Sequence, residues 1–154
     1  MAKVPDTHCS IERSLGVLGE RWTFLILREA FMGATRFVEF RDRLGVAPDV
    51  LTDRLATLVE FGVLEREPYQ EPGARSRFAY RLTQSGRELN VVLGALQQWG
   101  DEHLPPPEGP SVLRRVAGTD CPVHIGFVDP DGREVSADGM VMISAYPLPG
   151  ENER

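Results

Sequence analysis

The chain of 154 residues lacks any apolar run approaching the 18 residues that a membrane-spanning helix needs. The opening residues, Met1-Ala2-Lys3-Val4-Pro5-Asp6, hold no hydrophobic stretch suited to a signal peptide, so a cytoplasmic protein with no membrane partner is expected. Cysteine is scarce: Cys9 and Cys121 are far apart and in no CxxC or zinc-like spacing, which excludes a secreted disulfide framework and leaves reduced thiols as the expectation. His8, His103 and His124 are isolated, with no paired ligand spacing, so neither a metal nor a cofactor is expected. The signatures of common enzymes are missing too. There is no Gly-rich phosphate loop, no GxSxG elbow and no HExxH, and the carboxylates are scattered, so the chain reads as a non-enzyme.

Positive charge is also in deficit. A net charge of −6 and a pI near 5.1 speak at first against nucleic acid, whose condensed counterions must be displaced by protein cations. The distribution changes that reading. Residues 1–104 carry 13 Lys+Arg against 15 Asp+Glu, whereas 105–154 carry 4 against 8, so the tail supplies most of the acidity. Between Gly73 and Arg87 stand Arg75, Arg77, Arg81 and Arg87 with no carboxylate, a basic patch on an acidic body.

The stretch from Phe37 to Leu82 organises the rest. Phe37, Phe40 and Leu44 mark one face of a short helix, and Gly45-Val46-Ala47 supplies a three-residue turn. Pro48 suits the first position of a second helix, 48–61, with an apolar stripe of Leu51, Leu55, Leu58 and Val59. Gly62 closes it, and Val63 to Tyr69 and Arg77 to Leu82 read as antiparallel strands, with Phe78, Tyr80 and Leu82 on one face and Arg77, Ala79 and Arg81 on the other. The polar connection Gln70-Glu71-Pro72-Gly73-Ala74 would project as a wing. Helix, turn, helix and hairpin together outline a winged helix-turn-helix, so the fold class is mostly α with a small β component.

Before this stretch, residues 1–8 read as flexible. Ser10 is expected to cap a helix carrying Ile11, Leu15 and Leu18, and Glu20 to Met32 is the most apolar helical segment, fit for the centre of the fold with Trp22 in its core. Thr35-Arg36 reads equally as a short strand or as the entry to the next helix. After the wing, Thr83 is expected to cap one helix running to about His103, with Leu89, Val92, Leu93, Leu96 and Trp99 in its apolar stripe. Some 20 helical residues would extend about 30 Å, longer than so small a core covers, and a second copy of the same helix is the simplest partner. The main domain is thus 9–104. Residues 105–111 form a Pro-rich linker, and 112–147 a β-hairpin extension in which Val123, Ile125 and Phe127 alternate, Asp129-Pro130-Asp131-Gly132 turns, Arg133 to Val135 begins a return strand and Val141-Met142-Ile143 adds a third apolar patch. Residues 148–154 read as a frayed tail.

Several of these pieces resemble the HxlR family of bacterial winged-helix transcriptional regulators, which are MarR-like. They are Cys9-Ser10-Ile11-Glu12-Arg13, Gly19 to Arg28, Arg36-Phe37-Val38-Glu39-Phe40, Val50 to Leu55, Phe61 to Arg66, Tyr80 to Thr83 with Gly86, and Gln98-Trp99-Gly100. The likeness runs in unbroken order over about residues 8–104. It implies a homodimer joined through its terminal helices that binds a pseudo-palindromic operator in double-stranded DNA and acts on neighbouring genes, with a repressor the expected sense. Some such regulators sense oxidants or electrophiles with the cysteine at the position of Cys9, which here precedes a helix N-terminus with Arg13 one turn on.

In a helix-turn-helix the second helix meets base edges and the wing follows the backbone. The expected DNA surface is therefore Pro48, Asp49, Thr52, Asp53 and Arg54, with Arg36, Arg41, Arg75 and Arg77 on phosphates. Asp49 departs from the more polar or basic residues common nearby in the family. Asp can accept a hydrogen bond from cytosine N4, and Thr can meet a thymine methyl or a phosphate. Two further readings stay open: a winged helix that binds protein through its Asp49/Asp53 face without DNA readout, and gating by a small apolar effector held between the central and dimer helices or under the terminal hairpin.

Overall fold

The computed structural model describes residues 3–73, 75–110 and 112–146. The wing residue Ala74, the linker residue Ser111 and the tail 148–154 therefore lie outside the described residues. In order the elements are α1 (Ser10–Leu18), α2 (Arg21–Phe31), α3 (Phe37–Leu44), α4 (Pro48–Glu60), β1 (Leu64–Tyr69), β2 (Arg77–Leu82), α5 (Gln84–Glu88), α6 (Asn90–His103), β3 (Phe127–Val128) and β4 (Glu134–Val135). The chain divides into two units, 1–93 and 94–154, with the boundary inside α6. Among the described residues, no helix is long and apolar enough to cross a membrane.

In the first unit α2 packs against α3, α4 and β2, as its apolar composition requires. Ile26 and Leu27 are fully buried with Phe40, Leu51, Leu55 and Leu58, and Trp22, Phe24 and Phe31 pack partly buried around them. The turn between α3 and α4 depends on Gly45, whose φ of 62° is a left-handed conformation that costs glycine nothing. Val46 then turns inward and anchors the connection in the core. Gly62 ends α4 in the same way: it donates to the Val59 carbonyl while Val63 donates to that of Leu58, the paired bonds of a Schellman motif.

β1 and β2 pair antiparallel from Leu64↔Leu82 to Tyr69↔Arg77. Ahead of α3, Thr35-Arg36 forms an isolated bridge with Ala79, and the Thr35 carbonyl accepts from the Tyr80 N–H at 2.7 Å. That bridge covers Ala79, which is buried. Phe78, on the face that also holds Tyr80 and Leu82, remains 46% exposed.

The structure corrects three expectations. α1 begins at Ser10 itself, so Cys9 rather than Ser10 is the N-cap residue. The helix expected from Thr83 to His103 is interrupted at Leu89, where the chain completes α5 and restarts as α6. Thr83 does cap α5, accepting from the Gly86 N–H, but the hydroxyls of Thr83 and Ser85 also bind the Gly62 carbonyl and fasten this short helix to the end of α4. Leu93 is buried in the core of its own chain and has no face to offer a partner, unlike Val92, Leu96 and Trp99.

In the second unit, Arg115 bridges Pro122 and the Val123 N–H donates to the Arg114 carbonyl, so Val123 pairs with this earlier segment rather than extending β3. The turn at Asp129 to Gly132 joins β3 to β4 as expected, with Asp129 Oδ1 accepting from the N–H groups of Asp131 and Arg133. Val141, Met142 and Ile143 are exposed and in no strand.

Candidate nucleic-acid interface

α4 buries its leucine stripe and turns Asp49, Thr52, Asp53 and Ala56 outward, all exposed, with Pro48 exposed at the first helical position. Its N-cap, Ala47, has no side chain able to bind the first N–H groups. Thr52 donates its hydroxyl proton to the Pro48 carbonyl at 2.7 Å. Arg54 lies on the flank of the helix, half-buried, with Nη1 3.9 Å from Glu20 Oε1.

The arginines expected on phosphates fall into two groups. Arg36 precedes α3 as its N-cap residue rather than lying on the helix; it pairs with Glu71 at 2.7 Å and stacks 4.8 Å from the Tyr69 ring. Arg41 pairs with its neighbour Asp42 at 2.7 Å. Both remain exposed, so these pairs are weak and open to exchange for a phosphate. Arg75 and Arg77 are exposed and have no ion-pair partner among the described residues. The other two arginines of the basic stretch are engaged: Arg81 with Glu67, and Arg87 on the Leu82 carbonyl.

Two residues escaped the sequence reading. Arg66, on β1, lies 4.9 Å from the exposed ring of Phe78 and adds a cation to the wing; its place in the strand beside the motif was the available signal. Glu29 is a buried carboxylate inside the apolar helix α2, held by Arg28 at 2.7 Å and Arg43 at 3.6 Å, and no periodicity could mark it as paired. The wing root and α3 enclose an open depression of about 410 Å³ lined by Phe37, Val38, Arg41, Tyr69, Arg77, Phe78 and Tyr80. Burial pushes the Tyr80 phenol up from its ordinary pKa, with Arg66 pulling the other way.

Beyond this surface, Ile11, Leu15 and Val92 are strongly exposed and line, with Leu18, Phe24 and Leu89, an apolar groove of about 340 Å³. Cys9 is exposed at the head of the same helix α1. Its N–H donates to Thr7 Oγ1 and its carbonyl accepts from the Arg13 N–H, while the Arg13 guanidinium reaches the Pro5 carbonyl.

These features have counterparts in known proteins. The HTH-type transcriptional regulator Rv3095 of Mycobacterium tuberculosis is 48% identical over 106 residues, covering 69% of this chain and 66% of its own length, just under two thirds. Among solved structures, PA1607, a candidate transcription factor, superposes with a TM-score of 0.78 at 35% identity over 92% of this chain and 97% of that one. The redox regulator HypR in its reduced form reaches a TM-score of 0.57 at 28% identity over 62% of this chain and 94% of its own. The likeness to PA1607, at 92% of this chain, therefore takes in most of the segment after α6. A family model described as HxlR-like helix-turn-helix matches residues 17–108, from the end of α1 to just past α6, and the chain belongs to that family of helix-turn-helix transcriptional regulators.

Proposed function

We propose that this chain works in the cytoplasm as a homodimer that binds a pseudo-palindromic operator in double-stranded DNA and represses neighbouring genes. α4 reads base edges in the major groove and the wing, residues 69–77, holds the backbone. The observation that carries the reading is the pairing, within one unit, of an exposed and uncapped α4 N-terminus with a wing whose Arg75 and Arg77 are free of carboxylate partners among the described residues. Uncapped first-turn N–H groups and unpaired guanidinium groups are both phosphate ligands. This outweighs the net negative charge because the acidity is concentrated after residue 104.

The groove of Ile11, Leu15 and Val92 in the first unit is a surface we assign to the second copy, and in the second unit the exposed Leu96 and Trp99 of α6 are assigned to it as well. Apolar side chains at these exposures are stabilised by a partner that removes them from water. With Phe24 on its floor, the same groove is suited to a small apolar effector. Cys9, exposed at the head of α1 beside it, is placed to let oxidants or electrophiles alter the dimer, and its resemblance to a redox regulator such as HypR supports that role.

The test is binding of the full chain to a duplex from its own promoter region, followed by fluorescence anisotropy across a salt series, with and without diamide. Steep loss of affinity with salt is expected, with a diamide response that vanishes in Cys9→Ser. Binding that ignores salt, or no binding at low ionic strength, overturns the reading in favour of protein recognition through the Asp49/Asp53 face.

A further inference from the structure

The outward row of α4 has an unusual chemical uniformity. Asp49 and Asp53, one turn apart, are exposed carboxylates, which only accept hydrogen bonds. Thr52 between them carries a hydroxyl that could donate, but its proton is committed to the Pro48 carbonyl at 2.7 Å, leaving lone pairs and a methyl group. Ala56, the next residue in the row, offers only a methyl. Arg54, the nearest cationic side chain on the helix, lies on the flank facing Glu20. The turn before α4, Gly45-Val46-Ala47, adds no polar side chain. The remaining donors, the first-turn backbone N–H groups, lie where helices of this motif meet phosphate.

A face that only accepts cannot make the commonest specific contact in DNA recognition, a donor pair on guanine O6 and N7. Both guanine atoms are acceptors, and two carboxylates repel them. Adenine presents an amino group beside the acceptor N7, so a carboxylate gains one contact there and meets one repulsion. Cytosine presents its N4 amino group with no acceptor of its own in the groove, and thymine presents a methyl group beside its O4 acceptor, which suits a methyl-bearing side chain and not a carboxylate. The structure thus ranks the bases under α4.

Building on the DNA-binding reading above, we propose that α4 selects a half-site whose contacted strand is pyrimidine: cytosine amino groups opposite Asp49 and Asp53, and thymine methyls opposite Thr52 and Ala56. The wing arginines supply the affinity that this acidic face cannot. Base selection by α4 and backbone attraction by the wing are therefore separate and separately removable.

Selection of binding sequences from a random duplex pool by the full chain at low ionic strength, repeated with Asp53→Asn, tests this. The wild-type chain is expected to enrich cytosine at one or more fixed positions of each half-site. Asn pairs with adenine N6 and N7, so Asp53→Asn is expected to raise the adenine-to-cytosine ratio at one such position by about tenfold while the other positions hold. Enrichment of guanine on the contacted strand, or cytosine positions indifferent to both Asp53→Asn and Asp49→Asn, overturns the proposal while leaving DNA binding intact. Failure of the chain to retain any duplex overturns the DNA reading itself, and this proposal with it.

Discussion

Gly86 of α5 stands against the carbonyl oxygen of Val63 with no room for a Cβ between them. The close approach is enforced from both sides, because the Thr83 N–H donates to the same carbonyl at 3.1 Å and Ser85 Oγ binds that of Gly62 at 2.8 Å. Gly86→Ala places a methyl group on rigid backbone and is expected to destabilise the chain by about 2–3 kcal/mol, read as a lower midpoint in urea unfolding. Ser85→Ala, which removes one bond and adds no bulk, is expected to cost about 1 kcal/mol. Equal effects of the two would contradict the contact.

Glu39 closes the entry to α3: its Oε2 accepts from the N–H groups of Thr35 at 2.8 Å and Arg36 at 2.9 Å. These two bonds, the Arg36 bond first, hold its carboxyl below the ordinary glutamate pKa. Because the folded value lies below the unfolded one, the contribution is complete above the ordinary range, about pH 4.3, and fades as pH falls through the lowered folded value. Urea titrations of wild type and Glu39→Gln are therefore expected to diverge near neutrality and converge as the solution is acidified. A gap that widens in acid would reverse the sign.

How much of this was legible depended on whether a signal was local. Gly45, Pro48 and Gly62 set turn, helix start and helix end through their own backbone preferences, so the helix-turn-helix could be read in order. The docking of α5 could not, because it rests on the hydroxyls of Thr83 and Ser85 reaching Gly62, some twenty residues back. Alternation in β2 separated Phe78 from Ala79 correctly but did not tell which the fold would cover; the bridge from Thr35-Arg36 decides that. In the candidate site, sequence supplied the arginines and structure sorted them. Arg36 and Arg81 meet carboxylates 35 and 14 residues away, which no spacing rule connects to them.

Leu93 and Trp99 lie on the same helix, but Leu93 is 8% exposed and Trp99 55%. Leu93→Ala is expected to cost about 2–5 kcal/mol of stability without changing which assembly forms. Trp99→Asp and Leu96→Asp are expected to shift the chain toward single copies in sedimentation velocity at micromolar concentration, since a carboxylate there would be buried unpaired against the second copy. Unchanged sedimentation of the double variant would remove this stripe from the proposed dimer.

Arg75 and Arg77 have no ion pair among the described residues to give up on reaching DNA, so their attraction should appear in full in the salt dependence. Arg75→Ala and Arg77→Ala are each expected to weaken binding across sequences and flatten the slope of log affinity against log salt by about 1. Arg36→Ala is expected to change it less, because Arg36 leaves Glu71 to make the contact. Slopes unaltered in the Arg75/Arg77 double variant would exclude the wing. Thr52→Ala offers the contrast: its γ-methyl and its bond to the Pro48 carbonyl are both lost, and base preference rather than slope is expected to move.

In the second unit, Gln98 grips Ile125 at both backbone atoms, donating to its carbonyl at 3.1 Å and accepting from its N–H at 2.9 Å. The neighbouring Gln97 donates to the Val112 carbonyl and accepts from Arg114, and Gly94 leaves space that Ile125 fills. Three residues on one helix face thus hold residues 112–125 where β pairing alone would be too short to do so. Gln98→Ala removes two bonds near solvent, worth about 1 kcal/mol each, while leaving the buried core of the first unit untouched. It is therefore expected to speed amide exchange and proteolytic cleavage within 112–125, with little change in the global unfolding midpoint. Gly94→Val is expected to do the same more strongly by displacing Ile125, and exchange rates at Ile125 equal to wild type in both variants would show that the segment is held by something other than α6.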